Sequence, residues 1–110
     1  MSPAIAWALL VVAGLFEIAW AIGLKYTAGF TRPLPTVMTV AAMVISMGLL
    51  GITARQLPIG TAYAVWTGIG AACAAIIGMA MYGESAEPSR IACIILIVAG
   101  TAGLRLVSST

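Results

Sequence analysis

Three observations predict an all-α membrane protein with four transmembrane helices. Of its 110 residues, 63% are apolar and only 7% charged, whereas soluble domains are ~45–50% apolar and ~25% charged. A chain of this size has too little interior to hide that much apolar surface, which argues against a soluble four-helix bundle. Apolar runs at about 3–24, 34–54, 59–82 and 89–106 each approach or exceed the ~20 residues that a helix needs to span a bilayer. The links between them are short, and the runs lack the ~10-residue alternation of transmembrane strands. Residues 1–110 are expected to form a single four-helix transmembrane domain.

The first run, 3–24, is punctuated by one charge, Glu17. It falls just past the middle of the run, where a carboxylate is costly and reads as functional. Hydrocarbon disfavours its charged form, so a proton, or a cation that comes and goes, must neutralise it. Helical spacing puts Leu10, Ala13, Gly14, Trp20, Ala21 and Leu24 on the Glu17 face. Gly14, one turn away, leaves space beside the acid for a ligand, or for a neighbouring helix. Trp20 is either a member of that site or a residue of the interfacial belt. The opening Met1-Ser2-Pro3 lacks the positive segment of a signal peptide, so the run is expected to be retained as a span.

The 25–33 link, with Gly29 and Pro33, closes into the second run. That run carries a hydroxyl stripe, Thr39, Ser46 and Thr53. Thr39 and Thr53 are expected to bond to their own backbone. Ser46, at a depth like that of Glu17, is expected to be a hydrogen-bond partner for the carboxylate. Pro58 opens the third run, where Tyr63, Trp66 and Gly70 share a face. Two aromatic residues one turn apart supply the makings of a cation site, or else face lipid. Gly68 and Gly70 either permit a hinge or allow tight packing. The 83–88 link holds Glu84 and Glu87, expected to be solvated, and Ser85, expected to cap the fourth helix. That helix has small residues at Ala92, Cys93, Ala99, Gly100 and Gly103 and reads as an association surface.

Net charge is +2 without a basic cluster, so nucleic acid is not an expected partner. Cys73 and Cys93 lie within apolar runs and read as small buried hydrophobes. The sequence has no histidine, no metal-ligand cluster and no phosphate loop, so no catalytic residue, metal or cofactor is expected, and the chain is not expected to be an enzyme. Lys/Arg are nearly balanced: Arg55 and Arg105 on the side of the termini, Lys25, Arg32 and Arg90 on the other. The bias that normally sets topology is so small that the chain either inserts one way on a weak signal or inserts both ways. Four helices with one carboxylate do not enclose a polar path by themselves. A homodimer is therefore expected, with the fourth helices as contact. Two oppositely oriented copies would build the inverted repeat that many transporters carry within one chain.

The order Glu17…Trp20…Lys25-Tyr26…Gly29-Phe30-Thr31-Arg32, followed by Leu57-Pro58-Ile59-Gly60-Thr61-Ala62-Tyr63-Ala64-Val65-Trp66-Thr67-Gly68-Ile69-Gly70, resembles the small multidrug resistance family of bacterial inner-membrane transporters. Trp20 and Leu24-Lys25 look like its guanidinium-exporter subgroup. The resemblance implies an antiparallel homodimer that exchanges protons for cations at Glu17. It implies a site lined by Gly14, Trp20, Ser46, Tyr63 and Trp66, with Ala99, Gly100 and Gly103 at the dimer contact. The family often pairs two glycines seven apart in the fourth helix; here Cys93 stands in the place of one, with Gly100 as the other. Guanidinium and small guanidinyl compounds are the expected substrates, since their planar fork matches a carboxylate and their faces stack on tryptophan. The alternative is a polyspecific exporter of quaternary or hydrophobic cations.

Overall fold

A computed structural model describes residues 2–107 of the protein. It contains α1 (Pro3–Gly23), α2 (Pro33–Thr53), α3 (Ile59–Met81) and α4 (Pro88–Val107). A 3-10 turn, Leu24–Tyr26, extends α1. Each helix is long and apolar enough to cross a membrane. The expected polar tail beyond residue 107 lies outside the described residues.

Proline sets the helix starts. Pro3, Pro33 and Pro88 are first residues of their helices and Pro58 immediately precedes α3. There the ring's fixed φ suits the first turn and the missing N–H costs nothing. Pro58 thus sits one residue earlier than a first-turn position, and its carbonyl accepts from Ala62 N at 2.9 Å. Ser2 adds a side-chain cap to α1, its Oγ accepting from Ile5 N at 3.3 Å. Ser85 does not cap α4. Its hydroxyl accepts from Glu87 N at 3.3 Å, within the link, because the helix starts at Pro88, too far on for Ser85 to reach the first free N–H groups.

The helices form a flat array of 42 × 36 × 17 Å. Packing contacts order them α2, α1, α3, α4 across the slab. The core lies where α1 meets α3: Ala6, Trp7, Leu10 and Ala13 against Ala62, Val65 and Trp66, closed below by Leu57 of the second link. At that end the Arg105 guanidinium of α4 stacks over the Trp7 ring, 4.8 Å from its centroid. Thr53 bonds back to Leu50 O at 2.9 Å, as single membrane hydroxyls do. Thr39 instead fits over Gly23 of α1, its hydroxyl occupying the space of the missing side chain.

α4 packs chiefly along α3, reaching α1 where Arg105 covers Trp7, and Ile94 is its one buried residue. Gly68 of α3 receives Thr101 where a Cβ would stand, so this glycine serves close packing. Ala99 and Gly100 are exposed and Gly103 half-buried, and among the described residues nothing lies within 4 Å of where a side chain on either glycine would begin. Cys93 is exposed and Cys73 half-buried; both are free thiols. The expectation of two buried cysteines therefore fails for Cys93, because apolar residues of a spanning helix need not face protein.

Candidate functional site

Glu17 lies between α1 and α3, with its carboxylate against Gly70 in the middle of α3. A Cβ on Gly70 would overlap Oε1 and come within 2.8 Å of Glu17 Cγ. Gly70 is thus the seat of the carboxylate. Sequence reasoning placed Gly70 on the face of Tyr63 and Trp66 but did not pair it with Glu17. The spacing of one helix cannot give its register against another.

Two polar atoms on the α1 face are buried without a partner: Glu17 Oε1 and Trp20 Nε1. One is an acceptor and the other a donor. Buried polar groups are normally paired, and an exception calls for a physical account. A guanidinium ion has five or six N–H donors and no acceptor, so it can serve the first atom and not the second. The indole N–H needs an acceptor such as a carboxylate or water, while its ring face remains available to a cation.

Ser46 is completely buried, but its partners are not those expected. It donates to Ala13 O at 2.7 Å and accepts from Trp66 Nε1 at 2.8 Å. Its single proton is committed to the Ala13 carbonyl, so it does not hold the Glu17 carboxylate. The relay instead ties α1, α2 and α3 together at one point and fixes the Trp66 indole. Tyr63 stacks on Trp66 with centroids 5.6 Å apart and planes at 30°. Trp66 is buried and Tyr63 exposed on the outer side of the pair. Gly14 faces Ile69 of α3: a Cβ there would lie 2.7 Å from Ile69 Cγ2. Of its two readings, the helix–helix contact is the one seen.

Beyond the Glu17 level, α1 and α3 diverge into a cleft of about 370 Å³ lined by Ala21, Lys25, Ala74, Gly78, Tyr82 and Glu84, among others. Glu84 is exposed, as expected of a link residue, but its carboxylate is also drawn back onto the fold. Gly83 takes a left-handed φ of 67°, and the Glu84 N–H returns to Gly78 O at 3.2 Å. Its carboxylate folds over Gly78 and pairs with Arg90 at 2.6 Å. Tyr82, just past the end of α3, shares a hydrogen bond with Tyr26, and that bond holds its phenol above the usual tyrosine range.

Four membrane-length helices in a slab, with one carboxylate at mid-depth on the first, define a small multi-pass membrane protein built around a single buried acid. The family model described as Small Multidrug Resistance protein matches residues 5–97, and the chain belongs to that family. Relatives carry the name "Guanidinium exporter". That of Escherichia coli (strain K12) is 59% identical over 100 residues, 91% of this chain and 95% of the relative. Those of Citrobacter freundii and Salmonella typhimurium are each 58% identical over the same shares.

Proposed function

We propose that the protein exports guanidinium ion and small guanidinyl compounds across the bacterial inner membrane in exchange for protons, as an antiparallel homodimer. The observation that carries this reading is the unpartnered Glu17 Oε1, buried on Gly70, in a chain whose relatives are named guanidinium exporters. That name also favours the small planar ion over the polyspecific alternative.

Glu17 holds either a proton or the cation. Guanidinium donates two parallel hydrogen bonds to a carboxylate, which a rounder ammonium does not. Trp20 and Trp66 supply ring faces, and Tyr63 extends the Trp66 platform. Ser46 acts through Trp66, by locking its indole. Gly14 lets α3 approach α1 so closely that Gly70 reaches Glu17. Protonation of Glu17 from one side of the membrane releases the cation, and loss of that proton on the other side readmits one.

The dimer reading has two supports. α4 leaves Ala99, Gly100 and Gly103 open along one side, and small residues let a second helix approach closely in lipid. Lys and Arg divide two to three between the two sides, which leaves both orientations open to insertion. The test is transport by purified protein in liposomes under an imposed pH gradient. Guanidinium should accumulate against its own gradient, and Glu17→Gln should abolish this while the variant still folds and dimerises. Proton-driven exchange by the Gln variant would refute the mechanism.

A further inference from the structure

Lys25, Tyr82 and Glu84 meet at the mouth of the cleft between α1 and α3. We propose that the Tyr82 ring and the Glu84 carboxylate form an outer station for a planar organic cation, with the Lys25 ammonium as its built-in occupant. The proposal rests on guanidinium being the transported ion.

The cleft begins one turn beyond the Glu17 seat, at Ala21 and Ala74. On α1, Ala21 follows Glu17 by four residues, and Lys25 follows in the 3-10 turn that extends the helix; on α3, Ala74 and Gly78 follow Gly70 at steps of four. Residues four apart share a helix face, so Ala21, Ala74 and Gly78 of the cleft lining stand on the same helix faces as the Glu17–Gly70 contact, one to two turns further on. The intermediate positions are alanine and glycine, which leave these faces open. Six residues of α-helix and two of the 3-10 turn carry Lys25 about 13 Å from Glu17. A cation that leaves Glu17 along these faces would pass through the cleft and meet Lys25, Tyr82 and Glu84 at its lining.

The chemistry at that mouth already holds a cation. The Lys25 Nζ lies over the face of Tyr82, 4.8 Å from the ring centroid, within the range of a cation–π contact. The hydrogen bond of Tyr82 to Tyr26 fixes the ring. Beside it the Glu84 carboxylate rests on Gly78, where a side chain would exclude it. A ring face and a carboxylate are also what a guanidinium ion takes, the face by stacking and the carboxylate by its donor fork. Lys25 is a tethered cation on the same ring, so guanidinium and Lys25 compete. When the ion arrives, the ammonium swings off Tyr82; when the ion departs, the ammonium returns and closes the mouth. Arg90 holds one Glu84 oxygen, which positions the carboxylate without covering the ring.

The proposal separates from a plain clamp between helix ends by a mutant cycle, read as guanidinium uptake into liposomes by the full-length dimer. Tyr82→Leu removes ring and hydroxyl; kcat/KM for guanidinium should fall about two- to fivefold, the worth of an exposed cation–π contact. Affinity at Glu17, read by tryptophan fluorescence, should stay near that of the native chain. Tyr82→Phe keeps the ring and should recover most of the loss. Lys25→Gln should raise kcat/KM in the native background and change nothing in the Tyr82→Leu background, because Lys25 competes only while the ring is present. Size-exclusion chromatography establishes that each variant remains folded and dimeric. Tyr82→Phe as impaired as Tyr82→Leu would make the hydroxyl tie to Tyr26 the whole role and overturn the station. An equal gain from Lys25→Gln in both backgrounds would reduce Lys25 to a through-space charge and overturn it as well. A native chain that moves no guanidinium overturns the proposed function and the station together. A native chain that transports, with Tyr82→Leu unimpaired, overturns the station alone.

Discussion

Replacing Gly70 with alanine tests whether the seat of the carboxylate matters. The new Cβ would stand 2.8 Å from Glu17 Cγ and overlap Oε1, whereas carbon atoms rest at about 3.5–4.0 Å. Cγ must therefore move by about 1 Å, and the carboxylate, which lies closer still to the new Cβ, by more. Its side chain is flexible and moves at its far end, so the folding cost should stay at or below the low end of the ~1–3 kcal/mol seen for overpacking. Alanine's better helix propensity offsets up to ~1 kcal/mol of that. Function should suffer more. Misaligning a charge-assisted hydrogen-bond pair costs about 1.5–3 kcal/mol, or roughly 10- to 150-fold in guanidinium affinity. The assay is guanidinium binding by tryptophan fluorescence, alongside thermal unfolding in detergent. Gly48→Ala is the control, since open space surrounds Gly48 on α2; it should bind as the native chain does. Native affinity in Gly70→Ala would show that the Glu17–Gly70 contact does not set the site.

Ser46→Ala should act on Trp66, not on the acid: it leaves Trp66 Nε1 buried without its 2.8 Å acceptor, a loss of about 1–3 kcal/mol, visible as a lower unfolding midpoint and altered tryptophan emission. Reporter fusions placed after Thr110 should report both orientations, and two lysines added to the links of one side should lock one orientation and impair activity when that variant is expressed alone. A single orientation of the native chain would contradict the antiparallel homodimer.

The helices were legible because each is a membrane-length apolar run bounded by proline. Expected spans of 3–24 and 59–82 became Pro3–Gly23 and Ile59–Met81. Glu17 was legible as the one charge at mid-depth. What the sequence withheld is the rotation of one helix against the next. Ser46 does meet α1, one turn from Glu17, yet its proton goes to Ala13 and not to Glu17, since position along a helix does not decide which neighbour a hydroxyl faces. Gly70 as the carboxylate seat depends on α1–α3 register, which no single-helix pattern contains. Glu84 is the solvated link residue that its position implies, but its fold-back onto Gly78 was not legible, because the return of the chain through the left-handed Gly83 is a tertiary event, fastened by Arg90. Trp7 and Leu57 were not singled out, although both belong to the core. In a chain this apolar, hydrophobicity does not separate residues that face protein from those that face lipid.

The central claim is that proton and guanidinium share Glu17. The most direct measurement is guanidinium binding to the purified dimer across pH, with protons released on binding counted in weakly buffered solution. The account predicts that affinity weakens as pH falls and that binding in the acid range expels protons, both effects vanishing in Glu17→Gln. Affinity that stays flat from acid to alkaline pH, with no proton released, would contradict it.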